Sequence, residues 1–250
     1  MLALNEVVLD YGAVRAVDHV SFDVAPGEIC GLVGPNGSGK SSLLNTISGL
    51  ARISHGTIAV DGRTVSRERP HVVARLGVGR TFQHVRLLHG LTVEDNVAAG
   101  YFTAATRSGI LHTLSAALAP RTLSGEEREH VEAALERAAV ADVASVLVDE
   151  LAFATQRRVE IARSIVSRPK LLLFDEPAAG LGVKDLEDLA TIIRSEAQRG
   201  CAVVLVDHHL HFVLELCPRL VVLNFGNKIF DGPGEQAVED ATVREAYVGG

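Results

Sequence analysis

The segment Gly34-Pro35-Asn36-Gly37-Ser38-Gly39-Lys40-Ser41 limits the fold of this chain more than any other stretch. It has the form GxxxxGK[ST], follows the apolar run Ile29 to Val33, and opens a stretch of helical periodicity over Ser41 to Leu50. A strand, a glycine-rich loop and a helix in that order let successive backbone N–H groups converge on phosphate oxygens. The helix N-terminus adds its partial positive charge, Lys40 reaches the β and γ phosphates of a nucleotide, and the Ser41 hydroxyl is suited to Mg²⁺. Gly34, Pro35, Asn36, Gly37, Ser38, Gly39, Lys40, Ser41 and the adjoining Ser42 are therefore candidate nucleotide-binding residues. A plain glycine-rich turn is the competing reading, and the strand-before, helix-after placement disfavours it.

The rest of the chain supports an α/β architecture. Residues 4 to 9 and 20 to 24 alternate apolar and polar, and Pro26-Gly27 makes a turn, so the first 30 residues read as antiparallel β. Leu171 to Phe174 and Ala202 to Val206 are short aliphatic runs of the kind found in parallel strands buried on both faces. Helical segments are expected at Gln156 to Val166, ahead of Pro169, and at Asp185 to Gln198. The alternation spells crossover helices around a parallel sheet. From His84 to Glu150 the chain is Ala-rich with charged helical periodicity and no convincing strand, which reads as a helical insertion. Thr92 with Asp95, and Ser124 with Glu127, have the spacing of capping boxes and mark two helix starts within it.

Composition narrows the function classes. With 24 Lys+Arg against 31 Asp+Glu, the formal charge is −7, which disfavours a stand-alone nucleic-acid binder. At roughly 150 residues per domain, 250 residues make one large domain or two small ones. No apolar run is long enough to span a bilayer and the start lacks the order of a signal peptide, so a cytosolic protein is expected. Cys30, Cys201 and Cys217 are odd in number and set in apolar stretches, and read as buried thiols.

Leu171-Leu172-Leu173-Phe174-Asp175-Glu176-Pro177 delivers two adjacent carboxylates at the end of a buried strand. Asp175 is placed to support Mg²⁺ and Glu176 to act as general base for an attacking water. A solvated turn closing a strand is the alternative for this pair taken alone.

Together these residues resemble the ATP-binding-cassette (ABC) ATPases over essentially the whole chain. The resemblance implies a P-loop NTPase fold with a RecA-like core, an N-terminal antiparallel β subdomain and a helical subdomain: one cassette, with β and core at about 1–84 and 156–250 and the helical part at about 85–155. Thr81-Phe82-Gln83 resembles the Q-loop, which implies that Gln83 reaches Mg²⁺ and water and that the following segment meets a membrane subunit. His208 is similar to the switch histidine that contacts the γ phosphate, and Tyr11 to the aromatic residue that stacks on adenine. GRTFQHVRLLHGLTVEDNV, QRRVEIARS, PAAGL, DHHLHFVLEL and REAYVGG are similar to the ATPase of branched-chain amino acid importers. The resemblance implies ATP and Mg²⁺ as cofactors, membrane permease subunits as partners, no nucleic acid, and a place on the cytoplasmic face of the membrane.

Leu151-Ala152-Phe153-Ala154-Thr155-Gln156 occupies the signature position, where the family would carry a pattern like LSYGQQ. In the family this helix start binds the γ phosphate held by the opposite subunit. Ala152 has no hydroxyl, Ala154 adds a Cβ where close approach is wanted, and Gly182 stands where relatives offer a polar residue. The expected consequence is a heterodimer with a second, intact ATPase rather than a homodimer, or else a cassette that binds ATP and hydrolyses it poorly. Leu123-Ser124-Gly125-Glu126 imitates a signature, but a helix cap explains it better. His208, His209 and His211 as a metal trio is the less favoured reading, which leaves His209 and His211 as ordinary exposed residues. A small GTPase fails because Phe230 stands where the motif begun by Asn227-Lys228 needs an aspartate. A DNA-repair cassette needs a long coiled coil for which the chain has no room.

Overall fold

Period two decides how the central strands are buried. In the computed structural model, which describes residues 1–105 and 123–248, strands β3 (Ile29–Val33), β7 (Leu171–Asp175) and β8 (Ala202–Val206) are buried at every position. Leu171, Leu173, Ala202, Val204 and Val206 face one hydrophobic core, while Leu172, Phe174, Val203 and Leu205 face the other. Alternate residues of one strand thus feed two cores, and that two-sided burial is what a continuous aliphatic run is for.

These strands belong to a six-stranded sheet of order β10-β9-β3-β8-β7-β6, completed by β6 (Val78–Arg80), β9 (Arg219–Asn224) and β10 (Asn227–Pro233). All neighbours are parallel except β9 and β10, which form a hairpin. A second, antiparallel sheet has the order β2-β1-β4-β5, from β1 (Leu2–Tyr11), β2 (Val14–Val24), β4 (His55–Val60) and β5 (Arg63–Thr64). Its alternation breaks at Glu6 and His19, both with positive φ (50° and 49°), where the β1–β2 register shifts between Leu4 and Val7. The antiparallel reading of the first residues holds, with both strands longer than the alternation showed.

Helix α1 (Lys40–Ile47) lies between the sheets, burying Leu43, Leu44 and Ile47 in the core that they share. The other face of the parallel sheet is covered by α5 (Phe153–Ile165), α6 (Val183–Gln198) and α7 (Leu210–Leu216). Two helices of the expected insertion, α3 (Val93–Ala105) and α4 (Gly125–Arg137), add Val93, Val97, Val131 and Leu135 to that same core. The short helices α2 (Pro70–Arg75), α8 (Gly234–Glu239) and α9 (Ala241–Val248), with 3₁₀ turns at Ala141–Val143 and Val148–Glu150, complete the described chain. Part of the insertion, 106–122, and the terminal Gly249-Gly250 of REAYVGG lie outside the described residues. Both capping boxes are present: the Ser124 hydroxyl accepts from Glu127 N, the Glu127 carboxylate accepts from Ser124 N, and the Asp95 amide donates to the Thr92 hydroxyl. LSGE is therefore a helix cap, as its spacing indicated. The three cysteines are buried and free, and burial pushes the Cys30 thiol up to about 12. Among the described residues no helix is long and apolar enough to cross a membrane.

Candidate functional site

Four parallel strands end at one edge of the sheet, and each delivers a motif there. Gly34 follows β3, Asp207 and His208 follow β8, Asp175 and Glu176 close β7, and Thr81 to Gln83 follow β6. The loop after β3 is built on backbone geometry. Gly34 (φ 149°) and Gly39 (φ 103°) lie where a Cβ would come within 2.1 Å of the Leu223 carbonyl and 2.3 Å of the Ala16 carbonyl. Glycine is required at both.

Lys40 begins α1 and is 6% exposed. Its ammonium donates to the carbonyls of Gly34 (2.7 Å) and Pro35 (2.8 Å) and to the Ser38 hydroxyl (3.5 Å). Burial pulls that ammonium below the ordinary lysine range, while the nearby carboxylates of Glu176 and Asp175 oppose the shift. The next residue, Ser41, donates through its hydroxyl to Asp175 Oδ1 at 3.2 Å. Arg80 donates from Nη2 to the other oxygen, Oδ2, at 2.9 Å, both side chains being 7% exposed. One edge of the Asp175 carboxylate thus faces the phosphate loop and the other is held by a buried guanidinium.

Glu176 stands between two partners. Gln83 Nε2 donates to its Oε2 at 2.9 Å, and His208 Nε2 donates to its Oε1 at 2.8 Å. Its backbone is left-handed (φ 52°), an uncommon conformation for a residue with a Cβ, and its N–H donates to the Val206 carbonyl at 2.8 Å. The conformation turns the side chain from the strand direction toward the cluster. A carboxylate held by an amide and an imidazole, beside a loop that binds phosphate, can polarise water against a phosphoryl group. The sequence-read Asp175, Glu176, Gln83, His208, Lys40 and Ser41 thus lie at one edge. Gln83 bonds to Glu176 rather than to the Ser41–Asp175 pair. Tyr11 ends β1 opposite Val14, half-exposed, in the hairpin whose Ala16 carbonyl packs on Gly39.

The helix start at Ala152 is plainer. Ala152 caps α5 with no side-chain hydrogen bond. The Thr155 hydroxyl accepts from Arg158 Nη2 (3.4 Å), and Gln156 Nε2 donates back to the carbonyls of Val148 (3.0 Å) and Leu151 (3.2 Å). Phe153 is half-exposed with its ring against Gly180, and across a cleft of about 520 Å³ from it lie Gln83 and Glu176. Gly182 caps α6, also without a side-chain bond.

Four residues of this region went unassigned in the sequence. Arg80 pairs with Asp175 at 95 residues' separation, a distance over which no local pattern speaks. Asp207 is buried: it accepts from the Ala178 amide (2.9 Å) and, on Oδ1, from the His209 amide (2.9 Å) and ring (2.8 Å). His209 is exposed, as read from the sequence, and its amide and ring also tie it to Asp207. Arg157 and Glu160, on α5, form a buried pair at 2.9 Å. Among the described residues no group of three or more His, Cys, Asp or Glu is placed to hold a metal, the 208–211 histidines included.

A phosphate loop at a parallel strand end, with a carboxylate pair two strands away, defines a P-loop nucleoside triphosphatase. Comparison with known proteins narrows the class. A family model described as ABC transporter matches residues 17–179. The chain is 33% identical over 250 residues to the high-affinity branched-chain amino acid transport ATP-binding protein LivG of Salmonella typhimurium, covering 100% of this chain and 98% of that one. It is 33% identical over 253 residues to the corresponding protein BraF of Pseudomonas aeruginosa, with the same coverage. A nucleotide-free ATP-binding cassette from an ABC transporter superposes with TM-score 0.89 at 26% identity, covering 100% of this chain and 99% of that one. The chain belongs to the ABC transporter family and is an ATP-binding subunit, an ATPase coupled to transport.

Proposed function

We propose that this chain supplies ATP hydrolysis to an importer of branched-chain amino acids or related small solutes, with Glu176 as the general base for the attacking water. The observation that carries the reading is Glu176 fixed by Gln83 and His208 beside Lys40 and the Ser41–Asp175 pair. The solute class rests on the names of LivG and BraF. Phosphate enters at the backbone amides of residues 36 to 41 and at Lys40, whose present acceptors are neutral groups of its own loop. Tyr11 offers its exposed ring to the base.

The donor set also fits Mg²⁺. Ser41 and Asp175 converge at 3.2 Å while no larger ligand cluster exists among the described residues, the pattern of a cation that arrives already bound to phosphates. Ser41 and Asp175 would hold it, with Gln83 at the neighbouring carboxylate, and it would neutralise charge on the phosphoryl oxygens. Arg80 holds Asp175 in orientation from behind.

Two permease subunits would place the chain on the cytoplasmic face of the membrane. The bare helix start at Ala152 favours pairing with a different cassette. Nothing in the cluster around Glu176 favours a cassette that binds ATP without turnover. The test is uptake of labelled leucine, isoleucine and valine by cells lacking this chain, restored with wild type or with Lys40→Ala. Restoration by wild type alone is expected. Unchanged uptake in the deleted strain would remove the solute assignment, and no Mg-ATP binding by calorimetry would remove the site assignment.

A further inference from the structure

Asp207, the first residue after β8, is a buried carboxylate outside the cluster at Glu176. Its side chain is 1% exposed, and among the described residues its ion-pair partner is His209, itself half-exposed. Burying a carboxylate costs free energy unless hydrogen bonds hold it. Two of its bonds are local: Oδ1 accepts from the amide and the ring of His209, two residues on, and an Asx turn accounts for them. The third is not. Oδ2 accepts from the amide of Ala178 at 2.9 Å, across 29 residues of chain, in the turn that follows Glu176. Ala178 is fully buried, so no water offers its N–H another acceptor.

That turn needs holding. The left-handed backbone of Glu176 (φ 52°) persists only where its surroundings fix it. Three successive residues at the end of β8 do so. The Val206 carbonyl accepts from Glu176 N at 2.8 Å, the Asp207 carboxylate accepts from Ala178 N, and the His208 ring donates to Glu176 Oε1 at 2.8 Å. The main chain is thus gripped on both sides of Glu176, and the side chain at its tip. Any residue at position 206 supplies a carbonyl. Asp207 is the one of the three whose side chain sets the path of the main chain.

We propose that Asp207 is a positioning residue for Glu176: by holding the Ala178 amide it fixes the turn that aims the base, and His209 keeps the Asp207 carboxylate in the orientation that does so. This rests on the reading of Glu176 as the general base.

The test compares Asp207→Ala and Asp207→Asn with wild type, each alone and combined with Glu176→Gln. Calorimetry reads Mg-ATP affinity, and steady-state assays read kcat and KM in the assembled transporter. Asp207→Ala is expected to bind Mg-ATP within about threefold of wild type, to keep KM, and to lose at least tenfold in kcat. Asp207→Asn retains an oxygen for the Ala178 amide and is expected to stay within about threefold of wild-type kcat. Residues that act as one unit are not additive, so in the Glu176→Gln background Asp207→Ala is expected to change the residual rate by less than about twofold. A merely structural contact would lower turnover by the same factor in both backgrounds. If Asp207→Ala does not fold, Asp207→Ser, whose hydroxyl still serves the His209 amide but stops short of Ala178, decides in its place on the same criteria. Wild-type kcat in the deciding variant, an equal loss in the Glu176→Gln background, or Mg-ATP affinity reduced as much as kcat overturns the proposal. A loss in Asp207→Asn as large as in the deciding variant does so too, because charge and not the Ala178 bond would then be what counts. Near-wild-type turnover in Glu176→Gln alone would instead overturn the assignment of the base, and this proposal with it.

Discussion

The edge around Glu176 and the helix start at Ala152 face one cleft but are made of different materials. At the first, four strand ends present side chains, each paired: Lys40 with its loop, Asp175 with Ser41 and Arg80, Glu176 with Gln83 and His208. At the second, alanines present little beyond the backbone amides of a helix N-terminus, and Thr155 and Gln156 bond to their own helix and to the turn before it. One face is a set of side chains already paired with one another. The other offers a helix N-terminus with its partial positive charge and no polar side chain at its cap. On the proposed reading, a cassette built this way would be strong at the site it owns and weak at the site it completes.

Substitutions can break that contrast, beginning with the face expected to respond most. Glu176→Gln should cut turnover by about a hundred- to ten-thousandfold, the usual contribution of a general base, while Mg-ATP still binds. Steady-state hydrolysis beside calorimetry reads both, and near-wild-type turnover would remove Glu176 from its role. Lys40→Ala should weaken Mg-ATP binding by roughly ten- to a hundredfold, the equivalent of one charge-assisted hydrogen bond at about 1.5–3 kcal/mol. Its melting temperature should fall modestly, because the Gly34 carbonyl and Ser38 hydroxyl left behind are buried while the Pro35 carbonyl is partly open; loss of folding would recast Lys40 as structural. Tyr11→Ala should cost least, about two- to tenfold in nucleotide affinity, if its ring stacks on the base as roughly 0.5–1.5 kcal/mol of aromatic contact. Equal affinity in titrations of the two proteins would place the base elsewhere.

The contrast also explains what the sequence could tell. Buried parallel strands and glycine loops are local patterns, so β3, β7, β8, the phosphate loop and the carboxylate pair were readable residue by residue. Helix α5 begins at Phe153 rather than Gln156 because Ala152 caps it without a polar side chain, which removes the usual start signal. Strands β4, β6, β9 and β10 escaped the period-two reading: β6 is three residues long and β10 lies largely exposed at an edge. Gln83 and His208 came from resemblance and order along the chain, and the structure adds that both converge on Glu176. Arg80, Asp207, Arg157 and Glu160 were invisible because their roles are set by partners reached only through the tertiary fold.

Mixing variants of this chain tests the difference between its two faces most directly. One component is the wild-type chain, with Glu176 and its partners intact. The other carries Glu176→Gln, so that it binds ATP without turning it over, either with its native helix start or with Ala152→Ser, Ala154→Gly and Thr155→Gln. Hydrolysis by the wild-type chain should rise at least tenfold over the native-start mixture when the substituted start is supplied, about 1.4 kcal/mol from one restored charge-assisted bond and a closer approach. Equal rates in the two mixtures would contradict the account, showing that backbone amides alone complete the site and that the two faces are matched.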